Sequence, residues 1–149
     1  MIEERYELAL DRIRLMQTED TVGEPYKDYF KKMAEFVLML DELRTELLDG
    51  RYQKLELDEL RKWNRRLYQD VLPGQYEKSY ANPDYACKML GKESGQILGM
   101  LYAELRGAVV YVFEGKTEYL AILYELLIEV YNQFEEEPDP KAVRDTFYW

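Results

Sequence analysis

The sequence predicts an all-α fold, a bundle of five to six helices around a central, small-residue-rich helix at about residues 91–114. Apolar residues recur at three- and four-residue spacing along most of the chain, which is the spacing of one face of an α-helix. Helix-start pairs such as Asn82-Pro83 and helix-ending glycines such as Gly115 separate these stretches. With 149 residues, of which 47% are hydrophobic and 34% charged, the chain has the size and composition of one folded domain.

The charge and cysteine content argue against several classes of function. The formal net charge is −10 and histidine is absent, so the chain repels phosphate backbones and we expect no nucleic-acid partner. The single cysteine, Cys87, precludes an internal disulfide and suits a reducing compartment. The first residues are acidic, unlike a signal peptide, and Glu104 and Arg106 interrupt the longest apolar stretch, so we expect no membrane span. These features predict a cytoplasmic location.

Two long helices are predicted in the first third of the chain. The first, at about residues 2–17, carries one buried stripe made of Ile2, Tyr6, Ala9, Leu10, Ile13 and Met16. The second follows Thr21-Val22-Gly23-Glu24, which we interpret as a capping box with Pro25 in the first turn. It runs to about Leu48, where Asp49-Gly50 ends it.

The middle of the chain combines a short helix, an irregular connection and the central helix. Asp58 caps a third helix that ends at Leu72-Pro73-Gly74, and a tyrosine-rich connection follows at residues 75–81. Asn82-Pro83 then starts the central element. Gly91 favours a break within this element, so that a short helix precedes a long one.

The last helix of the domain is capped by Thr117 and has an inner stripe of Leu120, Leu123, Tyr124, Leu127, Val130, Tyr131 and Phe134. An acidic hinge, Glu135-Glu136-Glu137-Pro138, then ends a helical bundle domain at residues 1–137. Residues 138–149 start a further helix that finishes in Phe147-Tyr148-Trp149. Because chain ends are usually polar, we expect this to be a domain cut from a longer chain. The alternative is a C-terminal anchor that folds back on the core.

Small residues recur every four positions along the central element: Gly91, Gly95, Gly99, Ala103 and Gly107. Residues four apart share one helical ridge, so these five predict a groove that lets another backbone come close. Each glycine costs a helix interior about 0.5–1 kcal/mol relative to alanine, which calls for a compensating contact. Two interpretations stay open, close packing against another helix of the same chain and a docking groove for a partner helix or second subunit.

Five polar residues are candidates for a binding site. Glu104 and Arg106 interrupt an apolar helix and face different directions, so each needs its own partner if it is buried. They either bridge to a neighbouring helix, lie on a narrow exposed strip, or clamp a ligand or partner. Tyr76, Tyr80 and Tyr85, three of fourteen tyrosines, lie near the irregular connection and are candidates for an exposed binding patch.

No motif in the sequence indicates catalysis or a cofactor. The chain has neither a glycine-rich phosphate loop nor a Cys/His cluster spaced for a metal. Glu125 and Glu129, one helical turn apart, could share a magnesium ion, but we interpret them as a solvated face. We therefore predict no catalytic residue, no metal ligand and no cofactor in this chain.

Four stretches resemble a known enzyme family: Glu4-Arg5-Tyr6-Glu7-Leu8, Glu24-Pro25-Tyr26-Lys27-Asp28-Tyr29-Phe30, Tyr76-Glu77-Lys78-Ser79-Tyr80-Ala81-Asn82-Pro83 and Leu101-Tyr102-Ala103-Glu104-Leu105-Arg106. Together they look like the helical N-terminal extension of long clostridial leucyl aminopeptidases, of the thermophilic metallo-aminopeptidase type. The resemblance spans nearly the whole chain and includes no catalytic motif. It implies a parent enzyme that releases N-terminal amino acids with a pair of divalent metal ions. That family's metal centre uses histidine with carboxylates and a tyrosine, so none of its ligands is assigned in this histidine-free chain.

The resemblance implies a non-catalytic helical accessory domain of a cytoplasmic metallo-aminopeptidase, with a role in assembly or substrate access. Its partner would be a downstream catalytic domain or another subunit, which includes a second copy in a homo-oligomer. The alternative is a stand-alone helical protein-interaction module. A third hypothesis, a small-molecule-binding or enzymatic bundle, requires a closed pocket with Glu104, Arg106 or tyrosine hydroxyls inside it.

Overall fold

A computed structural model describes residues 1–19, 21–48, 61–62, 65–66 and 78–136. Across these residues the chain forms helices and no strand: α1 (Ile2–Thr18), α2 (Tyr26–Leu48), α3 (Pro83–Leu90), α4 (Lys92–Gly107), α5 (Val109–Phe113) and α6 (Thr117–Glu136). Residues 61–62 and 65–66 are helical as well. The prediction of an all-α bundle is confirmed. Most of the predicted third helix, Tyr76 and the predicted helix at 138–149 lie outside the described residues.

Helices α1, α2 and α6 pack side by side around an aromatic core. α1 runs antiparallel to α2, as the contacts of Glu3 with Arg44 and of Tyr6 with Asp41 show. α1 runs parallel to α6, because Arg5 pairs with Glu125 and Arg12, further along, pairs with Glu135. The largest fully buried side chains of the bundle include Tyr6, Tyr29, Phe30, Tyr102, Tyr124 and Phe134.

The predicted capping box before α2 is wrong. α2 begins at Tyr26, and the Thr21 hydroxyl lies 3.0 Å from the Tyr131 hydroxyl and donates a hydrogen bond to Glu135 at 2.6 Å. The Thr21 hydroxyl is therefore used in a contact with α6, whereas the hydroxyl of an N-cap residue would accept a hydrogen bond from a backbone N–H in the first turn of α2. The predicted acidic hinge is also wrong at its start, since α6 continues through Glu135 to Glu136.

The central element divides at Gly91, as the sequence predicts. Gly91 has φ +91°, a value that favours glycine, and it separates α3 from α4. The Asn82 side chain caps α3 by accepting a hydrogen bond from the backbone N–H of Asp84. α4 and α5 together contact α2, α3 and α6. Their remaining face is exposed.

The corner between α5 and α6 is formed by Gly115, which has φ +69°. The backbone N–H of Gly115 bonds to the Val112 carbonyl and that of Lys116 bonds to the Tyr111 carbonyl, the two bonds of a Schellman motif. The predicted helix stop at Gly115 is therefore confirmed. This turn reverses the chain and places the end of α5 beside the start of α6.

Candidate functional site

The predicted small-residue ridge is not one continuous contact surface. Gly95 and Gly99 are buried against α3, where added Cβ atoms would lie 2.4 Å from the Cys87 backbone and 2.9 Å from the Ala86 Cβ, respectively. Ala103 and Gly107 are exposed, and Gly91 sits outside the helices at the break. The close approach at Gly95 and Gly99 is thus to a helix of the same chain, while the other three positions take no part in it.

Arg106 and Glu104 lie in different environments, as their spacing predicts. Arg106 is half-buried and its Nη1 donates to the Ser79 hydroxyl at 3.4 Å. Ser79 is fully buried and also accepts a hydrogen bond from the Ala81 backbone N–H. Glu104 is exposed on the outer face of α4. The structure therefore does not bring these two charges together into one clamp.

Tyr80 and Tyr85 form a half-buried aromatic cluster, not the exposed patch that the sequence predicts. The Tyr80 ring makes an edge contact with Tyr29 at 4.6 Å between centroids and lies 6.3 Å from Tyr85 and 6.2 Å from Tyr102. The Tyr80 hydroxyl donates a hydrogen bond to Asp28. These contacts attach the segment before α3 to α2, so they explain Tyr80 as a packing residue.

A groove of about 590 Å³ opens between the end of α2 and the corner of α5 and α6. Its apolar walls are Leu47, Leu48, Val112, Phe113 and Leu120, and its polar rim is Glu3, Arg44, Glu114 and Thr117. Leu48 is 70% exposed and Phe113 is 39% exposed at its mouth. We name this feature the corner groove. Of the candidate residues that the structure describes, none lines it.

An exposed apolar face continues from the corner groove along α5 and α6. We name it the corner face, and it consists of Val110, Tyr111, Phe113, Tyr119 and Ile122. The Tyr111 and Tyr119 rings stack with centroids 5.6 Å apart, which joins the two helices across the turn. Lys116 lies over the Tyr119 ring at 5.5 Å. Monomeric proteins seldom group large apolar side chains on the surface in this way, so the face is a candidate interaction site.

Arg44, on the rim of the corner groove, contacts two residues of α1, Tyr6 and Glu3. Its guanidinium lies over the Tyr6 ring at 4.3 Å and donates to both Glu3 carboxylate oxygens at 2.8 Å. The Tyr6 hydroxyl in turn donates to Asp41 at 2.9 Å. Burial, together with the nearby Tyr124 and Asp41, raises the pKa of Tyr6 well above its usual value. Arg44 therefore links the rim carboxylate of Glu3 to the buried Tyr6 ring.

Glu125, considered as a magnesium ligand above, is engaged by Arg5. Arg5 Nε donates to both carboxylate oxygens, at 2.9 and 2.7 Å, and the hydrogen bonds hold the pKa of Glu125 below its usual range. In the part of the chain that the structure describes, no group of three or more His, Cys, Asp or Glu side chains is placed to hold a metal ion.

One helical stretch is long and apolar enough to cross a membrane by length and composition alone. This is Lys92–Phe113, of 22 residues, and 44% of its most apolar window is buried within the protein. The core helices of soluble proteins meet the same criterion, so the stretch is weak support for a membrane location.

Comparison with known proteins identifies no relative of this chain: no protein-family model, no curated protein and no solved structure matches it.

Proposed function

We propose that this chain is a non-catalytic helical accessory domain that binds another polypeptide, and that it does so in a cytoplasmic metallo-aminopeptidase. The partner is the downstream catalytic domain or another subunit. The observation that carries the binding role is the corner face, where five large apolar side chains lie exposed between residues 110 and 122. Covering such side chains with a partner is favourable by about 25 cal/mol for each Å² of apolar surface removed from water.

The aminopeptidase part of the proposal is supported by the resemblance of the four stretches quoted above. Three of them provide contacts between segments of the described chain. Arg5 of the first stretch pairs with Glu125, and Tyr80 of the third contacts Tyr29 of the second. The residues that support the resemblance thus include residues that hold the bundle together, which is consistent with a shared fold and leaves the catalytic chemistry to the parent enzyme.

The first test is to follow the reading frame of the source gene past Trp149. We expect a downstream region with spaced Glu, His, Tyr and Asp residues that can bind two metal ions. A stop codon directly after Trp149 would contradict the aminopeptidase parent. It would leave the second candidate function, a stand-alone helical interaction module, which the corner face supports equally.

The second test measures the docking face itself. Residues 1–149 and the downstream polypeptide are purified separately and titrated by calorimetry. We expect Tyr119→Glu to weaken the complex about tenfold or more, because a charge would enter the apolar interface. The matched control is Leu15→Glu, since Leu15 is 56% exposed but lies on α1. Equal effects of the two substitutions would contradict docking through the corner face.

A further inference from the structure

We draw no further inference here: the strongest candidate, the apolar corner groove between the end of α2 and the turn from α5 to α6, carries none, because Glu3 and Glu114 on its rim are already paired with Arg44 and Lys116 and nothing in the structure shows what covers it.

Discussion

Gly95 packs directly against the backbone of Cys87: a Cβ atom on Gly95 would lie 2.4 Å from both the Cα and the N atom of Cys87. Backbone atoms cannot rotate away, so α3 would have to move as a unit. This contact closes the hairpin of α3 and α4 at the glycine break and explains one of the glycines that the central element carries.

Gly95→Ala should therefore destabilise the protein by about 1–3 kcal/mol, the usual effect of overpacking, in spite of the better helix propensity of alanine. Gly107→Ala is the control, because nothing lies within 4 Å of a Cβ atom there, and it should be neutral or stabilising by up to about 1 kcal/mol. Urea unfolding monitored by circular dichroism measures both. A Gly95→Ala variant as stable as the unsubstituted chain would contradict the close approach.

Gly115 is the second glycine whose conformation matters. Gly115→Ala should cost about 1 kcal/mol, because alanine at φ +69° places its Cβ against the following carbonyl. Gly115→Asn should cost less, since asparagine tolerates this region better. The comparison is made by thermal unfolding, with Gly23→Ala as a control at a position that has open space and no positive φ. If Gly23→Ala lost more stability than Gly115→Ala, the positive φ of Gly115 in the Schellman turn would not be the cause of the loss.

Arg44→Met should destabilise the protein by about 1–2 kcal/mol, through loss of the cation–π contact with Tyr6 and the two bonds to Glu3. Methionine keeps much of the apolar stem, so the loss reports on the guanidinium. Arg14→Met is the control, because Arg14 is about half exposed and its closest ion pair is with exposed Asp11 at 2.8 Å, while Asp41 lies further away at 3.6 Å. The prediction fails if the two variants lose the same stability in urea.

Stability should fall at alkaline pH because of buried tyrosines. Burial, as the largest cause, raises the pKa of Tyr124 well above the value of about 10 in an unfolded chain. The stability from the neutral hydroxyl is fully present below about pH 10 and is lost as the pH rises towards the folded pKa, because the unfolded state releases its proton first. At about pH 11 the loss from one such group reaches about 1.4 kcal/mol.

Tyr124→Phe should therefore flatten the alkaline limb of a stability–pH profile measured by urea unfolding between about pH 8 and pH 11. Tyr119→Phe should retain the profile of the unsubstituted chain, since the Tyr119 ring is 55% exposed. Identical slopes for Tyr124→Phe and the unsubstituted chain would show that Tyr124 does not contribute to this limb.

Much of the fold follows from local signals in the sequence. The apolar stripe of α1 names the same residues that the structure buries, apart from exposed Ile2, and the glycines at 91 and 115 end their helices as expected. The capping box predicted at Thr21 is wrong because the Thr21 hydroxyl bonds to Tyr131 and Glu135, more than a hundred residues away in the sequence. No local motif encodes such a contact.

The candidate site was harder to foresee from the sequence. The sequence singles out Arg106 because it interrupts an apolar helix, but Arg106 donates a hydrogen bond to Ser79. Tyr80 is a packing residue, since its ring contacts Tyr29 and its hydroxyl donates to Asp28. The corner groove arises where α1, α2, α5 and α6 meet, and Leu48 and Phe113 look like ordinary core residues in the sequence. A signal for the corner face did exist, since Tyr119 and Ile122 fall outside the inner stripe of α6.

The most direct test of the central claim is photo-crosslinking in the source cells. A photoreactive amino acid replaces Tyr119 on the corner face and, in a second strain, Leu15 on α1. The account predicts a crosslink from position 119 to a metallo-aminopeptidase region, and none from position 15. The absence of a crosslink from position 119, or the same crosslink from both positions, would contradict docking through this face.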